Sequence, residues 1–130
     1  MEPIRVLVCD DSEAFRALLR YTLQEDPGIE VVGEAADGMA AIQAAERLQP
    51  DVVLLDLTMP ILDGMDAIPA VLERAPSAQV VALSGWGADR VEQAALDQGA
   101  IAYVEKSDDV EALRAAVRAA ARHGRLRLEP

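Results

Sequence analysis

A doubly wound α/β fold, a five-stranded parallel sheet with helices on both faces, is what this chain of 130 residues predicts. Three observations carry that reading. Five short apolar runs, Ile4 to Cys9, Ile29 to Val32, Val52 to Leu55, Val80 to Leu83 and Ile101 to Val104, are spread along the whole length. Four of them lack a clean alternating polar face, as expected of parallel strands buried on both sides. Helically spaced segments separate the runs, so strand and helix alternate five times, and right-handed crossovers then place helices on both faces of one open sheet. A three-layer sandwich in a single domain follows.

The first strand runs into Asp10-Asp11-Ser12, and Phe15, Leu18, Leu19 and Leu23 form the apolar stripe of the first helix. The second run continues as Ile29-Glu30-Val31-Val32-Gly33-Glu34, whose acids suit an edge strand. The third ends on Asp56, read as the first residue beyond burial, with Pro60 helping to turn the chain away. Pro69 fits the third helix if that helix begins near Asp66, so that proline falls in the first turn where donors are free. The fourth helix, Ala88 to Gln98, has only Val91, Ala94 and Ala95 as its stripe and is expected to be the most loosely held. In the last helix the stripe is Val110, Leu113, Val117 and Ala121, and Asp108-Asp109-Val110-Glu111 has capping-box spacing. Gly99 and Gly124 stand where left-handed helix ends want glycine. The domain is therefore expected to span residues 1–124, with 125–130 a C-terminal tail or linker stub.

Composition narrows the function. There are 12 Lys and Arg against 23 Asp and Glu, a formal charge of -11, which repels phosphate backbones and anionic lipid over most of the surface. Direct nucleic-acid binding by this domain is not expected. No apolar run approaches the ~18 residues of a membrane span, and no signal segment is evident, so a cytoplasmic location is expected. The lone Cys9 has no disulfide partner and reads as core filler, Met59 and Met65 as packing, and His123 as a helix-end cation.

In an open parallel sheet, ligands bind beyond the carboxyl ends of the strands, where strand order reverses. Those ends carry Asp10-Asp11-Ser12, Asp56-Leu57-Thr58, Ser84-Gly85 and Glu105-Lys106-Ser107. Clustered carboxylates repel unless a positive charge sits among them. A small hard cation such as Mg²⁺, with Mn²⁺ as the substitute, suits acids with no His or Cys nearby, and Lys106 could supply the remaining positive charge. Such a site is suited to a phosphoryl group, with Asp56 as the nucleophile and a hydroxyl donating to a phosphoryl oxygen. Asp10 and Asp11 are better placed to share the metal.

These segments, VLVCDDS, LLDLTMPILDGMDA, ALSG and YVEK, resemble the receiver domain of bacterial two-component response regulators over nearly the whole chain. The resemblance implies the CheY-like, flavodoxin-like strand order 2-1-3-4-5. It also implies that Asp56 accepts a phosphoryl group from a histidine kinase, that Asp10, Asp11, Asp56 and the Thr58 backbone carbonyl hold Mg²⁺, and that Ser84 and Lys106 bind the phosphoryl group. Tyr103 matches the aromatic that swings inward when the serine moves, altering the surface at helix four, strand five and helix five. For partners it implies a sensor histidine kinase or phosphotransfer protein, a homodimer on phosphorylation, and a DNA-binding output domain in the full-length protein. Where the family has a proline after its lysine, in a cis peptide, this chain has Ser107, so a trans or a strained bond is expected. Trp86 is bulky for its loop and is read as a shield that slows hydrolysis of the acyl phosphate.

Plainer readings stand beside these. Asp10 and Asp11 could cap the first helix, Ser84 could be a turn residue, Tyr103 edge packing and Lys106 a solvated lysine. Two other functions compete: a phosphorylation-independent docking module, and a Mg²⁺ phosphatase of the haloacid dehalogenase type. The latter wants a second acid where Thr58 stands.

Overall fold

The structure, a computed structural model, describes residues 2–85 and 89–128. The elements run β1 (Ile4–Cys9), α1 (Glu13–Gln24), β2 (Ile29–Ala35), α2 (Gly38–Leu48), β3 (Val52–Asp56), α3 (Gly64–Arg74), β4 (Gln79–Ser84), α4 (Asp89–Gln98), β5 (Ala102–Glu105) and α5 (Val110–Leu128). All neighbouring strands pair in parallel, in the order β2-β1-β3-β4-β5. The expected doubly wound sheet is therefore the observed one.

Successive side chains of a strand point to opposite faces, and that alternation sorts the apolar runs into two cores. Leu7, Cys9, Val53, Leu55, Val80 and Ala82 join Ala41, Ala45, Ile68 and Val71 from α2 and α3. Their neighbours Val6, Val8, Val52, Leu54, Val81 and Leu83 face the other way, onto Leu19, Leu23, Leu113 and Val117 of α1 and α5. A chain with 3% aromatic residues fills these layers with aliphatic side chains and many alanines, which let the helices lie close to the sheet.

β2 is the edge strand. It pairs with β1 in register up to Val6 with Val31 and then skips, Leu7 pairing with Gly33, so Val32 is an extra residue on the edge. This bulge and the exposed Glu30 and Glu34 discourage a further strand from adding there.

Several local expectations give way to packing. Leu18 is 54% exposed, so the inward face of α1 is carried by Leu19 and Leu23 with Phe15 half-buried. α3 starts at Gly64 rather than near Asp66, because the chain returns there to lie against β3, and Pro69 consequently falls inside the helix. Proline cannot donate to the Met65 carbonyl, but the ring lies on the exposed side, where water can take the bond. The cap of α5 is Asp109, whose Oδ1 accepts the Ala112 amide at 2.8 Å, and not the capping-box residue Asp108, which accepts the Glu105 amide at 3.0 Å. Gly99 has the expected positive φ of 119°. Gly124 ends nothing: it is buried in mid-helix, where a Cβ would stand 3.2 Å from the Gln79 side chain, and α5 continues through residues 125–128.

Candidate functional site

α1 and α5 cover one face and α2 and α3 the other, so chain direction reverses between β1 and β3 and a crevice opens beyond their carboxyl ends. Asp10 follows β1 directly and Asp56 is the last residue of β3. Asp56 is 3% exposed and Asp10 fully buried. Asp56 is thus still inside the sheet, which corrects the expectation that it lies beyond burial. One carboxylate oxygen from each of Asp10, Asp11 and Asp56 lies within 4.8 Å of the others, Asp11 being the solvent-exposed member.

The carboxylates are fixed by backbone amides. Asp10 Oδ1 accepts the Ser12 amide at 2.8 Å, and Asp56 Oδ1 accepts the Thr58 amide at 3.0 Å. The helix cap is Ser12, whose hydroxyl accepts the Phe15 amide at 3.2 Å, so Asp10 is left for the crevice. Lys106 crosses from the β5 end: its Nζ donates to Asp56 Oδ2 at 3.1 Å and sits 2.6 Å from Asp10 Oδ2. The latter contact is the shorter of the two, and apart from it the buried Asp10 Oδ2 meets no donor among the described residues.

Burial pushes the Asp56 carboxyl above its ordinary range, opposed by the Thr58 amide, reinforced by Asp10 and opposed again by Lys106. For Lys106 burial is the largest influence and acts downward, yet Asp10 and Asp56 together outweigh it and hold the ammonium above the usual lysine value. A buried carboxylate that resists ionisation and a lysine that resists losing its proton are what a cluster short of positive charge produces.

Ser84 ends β4, buried, and its carbonyl accepts the Lys106 amide at 2.8 Å, tying the lysine backbone to the neighbouring strand. The Lys106-Ser107 peptide is trans, as there is no cis bond among the described residues. In place of a proline, a tight turn sets the aim: the Asp108 amide donates to the Glu105 carbonyl at 2.9 Å while Asp108 Oδ2 accepts the Glu105 amide. Thr58 is exposed at the loop start, its amide facing Asp56. Tyr103 lies half-buried on β5 against the layer formed with α2 and α3. Trp86 lies outside the described residues.

Two features of the site were not anticipated from sequence. The Phe15 ring lies under Lys106, with Nζ 4.7 Å from its centroid, a cation–π contact that steadies the ammonium. Arg16 donates to the Asp10 carbonyl at 2.7 Å and to Glu34 at 3.0 Å, and Arg20 also binds Glu34, so α1 clamps the start of the Asp10 loop to the edge strand. Phe15 read only as part of a core stripe, whereas Arg16 had no sequence signal until β2 was known to lie beside β1.

A family model described as the response regulator receiver domain matches residues 6–118. The chain is 41% identical over 120 residues to the nitrate/nitrite response regulator protein NarP of Escherichia coli, covering 92% of this chain and 56% of that protein. It thus spans about half the length of that relative. Among solved structures, the signal receiver domain of the response regulator NarL from Mycobacterium tuberculosis superposes with a TM-score of 0.89 at 34% identity, covering 94% of this chain and 98% of that one. The response regulator domain of Thermotoga maritima CheB superposes with a TM-score of 0.88 at 30% identity, over 99% of this chain and 100% of that one.

Proposed function

Because the chain belongs to the response regulator receiver domain family, we propose that it is a phosphorylation-operated switch with Asp56 as the phosphoacceptor. The observation that supports this most is the bridge made by Lys106 between two buried carboxylates at the sheet's reversal point. Asp56 Oδ attacks the phosphorus of a phosphohistidine; the O–P bond forms, the N–P bond breaks, and the imidazole leaves with a proton from solvent. Lys106 neutralises the incoming oxygens and the Ser84 hydroxyl donates to one of them.

The donor set fits Mg²⁺ or Mn²⁺: clustered carboxylate oxygens, no nitrogen or sulfur ligand among them, and at Asp10 Oδ2 a buried oxygen with no partner but Lys106 among the described residues. Asp10, Asp11, Asp56 and the Thr58 carbonyl would hold the ion, which supplies charge neutralisation at the phosphoryl oxygens. Phosphorylation adds about one negative charge and new acceptor oxygens at Asp56. Ser84 and Lys106 are drawn toward them, Tyr103 fills the space left, and the surface at α4, β5 and α5 changes as a population shift.

The donor on this reading is a sensor histidine kinase or phosphotransfer protein in the cytoplasm. The switching unit is residues 1–124 together with the continuation of α5 to Leu128, and its output is a homodimer or a DNA-binding domain of a full-length protein. No helix among the described residues is long and apolar enough to cross a membrane.

Incubation with acetyl phosphate and Mg²⁺ followed by intact mass tests the reading. A stable gain of one phosphoryl group, absent in Asp56→Asn, is the expected result. No gain in the unaltered chain would leave a phosphorylation-independent docking module, and rapid turnover of many phosphoesters would make the protein a phosphatase.

A further inference from the structure

Between Asp56 and Gly64 the chain leaves the sheet and comes back to its starting point. A Cβ on Gly64 would lie 1.8 Å from the Asp56 carbonyl oxygen, so the two ends of this loop touch. Leu57 and Met59 are buried, and the Leu57 amide donates to the Leu83 carbonyl at 2.9 Å. The reversal is completed by a γ-turn in which the Leu62 amide donates to the Pro60 carbonyl at 2.8 Å, with Ile61 at a φ of 71°. Positive φ is strained for any residue with a Cβ and most of all for a β-branched one.

Loop closure explains the turn but not the isoleucine, since glycine or asparagine would adopt this conformation with less strain. Nor does burial compensate: Ile61 is 80% exposed, the most exposed large apolar side chain among the described residues. Strained residues that persist at a site invite a functional account. Ile61 follows Asp56 by five positions at the same edge of the sheet. Gly38 packs against the Leu62 backbone and so brings Met39, 45% exposed, to the same rim. The exposed acids Asp63 and Asp66 flank the loop, and the chain as a whole carries -11.

We propose that Ile61 is a recognition anchor for the protein that donates phosphoryl to Asp56, seated in an apolar socket with a basic rim on that partner. This rests on Asp56 being the phosphoacceptor. The partner must bring its phosphohistidine to the crevice, and in doing so it covers the β3–α3 loop. A small donor has no such surface, and the Ile61 side chain carries no group that could take part in the chemistry.

Two donors with the same P–N bond separate recognition from chemistry: phosphoramidate, and the phosphorylated core of the histidine kinase that labels the unaltered chain fastest. Ile61→Gly and Ile61→Ser should slow labelling by the kinase core by about tenfold or more, as loss of an interface hot spot does, and Ile61→Val should restore it. Phosphoramidate labelling should stay within about twofold. Ile61→Gly relieves the strained φ, so misfolding does not account for its loss. Equal slowing with both donors would mean that Ile61 acts through loop shape, and no slowing with either would mean that it contacts nothing; each overturns the proposal. A change in oligomeric state with kinase transfer intact would assign the anchor to a second copy of this chain and overturn it as well. Failure of the unaltered chain to label with either donor would instead sink the phosphoacceptor reading itself.

Discussion

Replacing Gly64 by alanine tests whether the phosphoacceptor strand and the start of α3 touch as closely as the fold requires. The added Cβ would stand 1.8 Å from the Asp56 carbonyl oxygen and 2.8 Å from the Leu57 Cα, both backbone atoms of the chain that carries Asp56. Real Cβ contacts stay beyond 3.0 Å, so the two segments must part by about 1.2 Å. Overpacking costs about 1–3 kcal/mol, and the upper end applies where a buried strand rather than a flexible side chain has to yield. Alanine's better helix propensity returns up to about 1 kcal/mol. A net loss of about 2 kcal/mol follows, or a Tm lower by roughly 6–10 °C for a domain of this size. The same displacement moves Asp56 away from the Thr58 amide and Lys106, so acetyl phosphate labelling should slow along with the stability loss. Gly85→Ala is the control: no described atom lies within 4 Å of its Cβ position, and its stability should change by less than about 0.5 kcal/mol. Urea melts and intact-mass labelling measure both effects. If Gly64→Ala melted like the control and labelled at the unaltered rate, the close approach of α3 to Asp56 would be refuted.

Other perturbations have equally definite signs. Because burial chiefly holds the Asp56 carboxyl above its ordinary 3.8, its ionisation costs the folded state, and Asp56→Asn should be more stable than the unaltered protein at pH 7 in the absence of divalent metal. That advantage closes as pH falls through the raised folded value toward 3.8, where the aspartate is protonated in both states; a less stable variant at pH 7 would contradict it. Lys106→Met leaves Asp10 and Asp56 without their shared cation and should cost about 1–3 kcal/mol, discounted for a side chain that is 25% exposed. Mg²⁺ should then stabilise this variant more than the unaltered chain in parallel melts, and the opposite order would mean that lysine and metal do not serve one charge cluster. Arg114 joins α5 to α1 through the Thr22 carbonyl, with Nε at 3.0 Å and Nη2 at 2.5 Å, so Arg114→Ala should cost about 1–2 kcal/mol and raise hydrogen exchange at the end of α1. Unchanged exchange there would place the tie elsewhere.

By itself the sequence determined the number and type of elements, and it placed Asp10, Asp11, Asp56, Ser84 and Lys106 at strand ends. Both are local properties: an apolar run is visible as a run, and the residue that follows a strand follows it in any packing. The edge position of β2 was legible too, because its acids cannot enter a two-sided core. What lay beyond reach depends on distance between segments far apart in the chain. Lys106 is 50 residues from Asp56, and only the tertiary structure shows it bridging that carboxylate and Asp10 with Phe15 beneath. Gly64 and Gly124 are glycines for close approach, to Asp56 and to Gln79, and no helix signal in the sequence marks such contacts. Leu18 fits the helical stripe and still faces solvent, since α1 has one sheet to cover and Leu19 with Leu23 already cover it. Asp56 read as the end of burial, but its burial is set by the strands on either side and by the loop that folds back over it, and those neighbours are what raise its pKa.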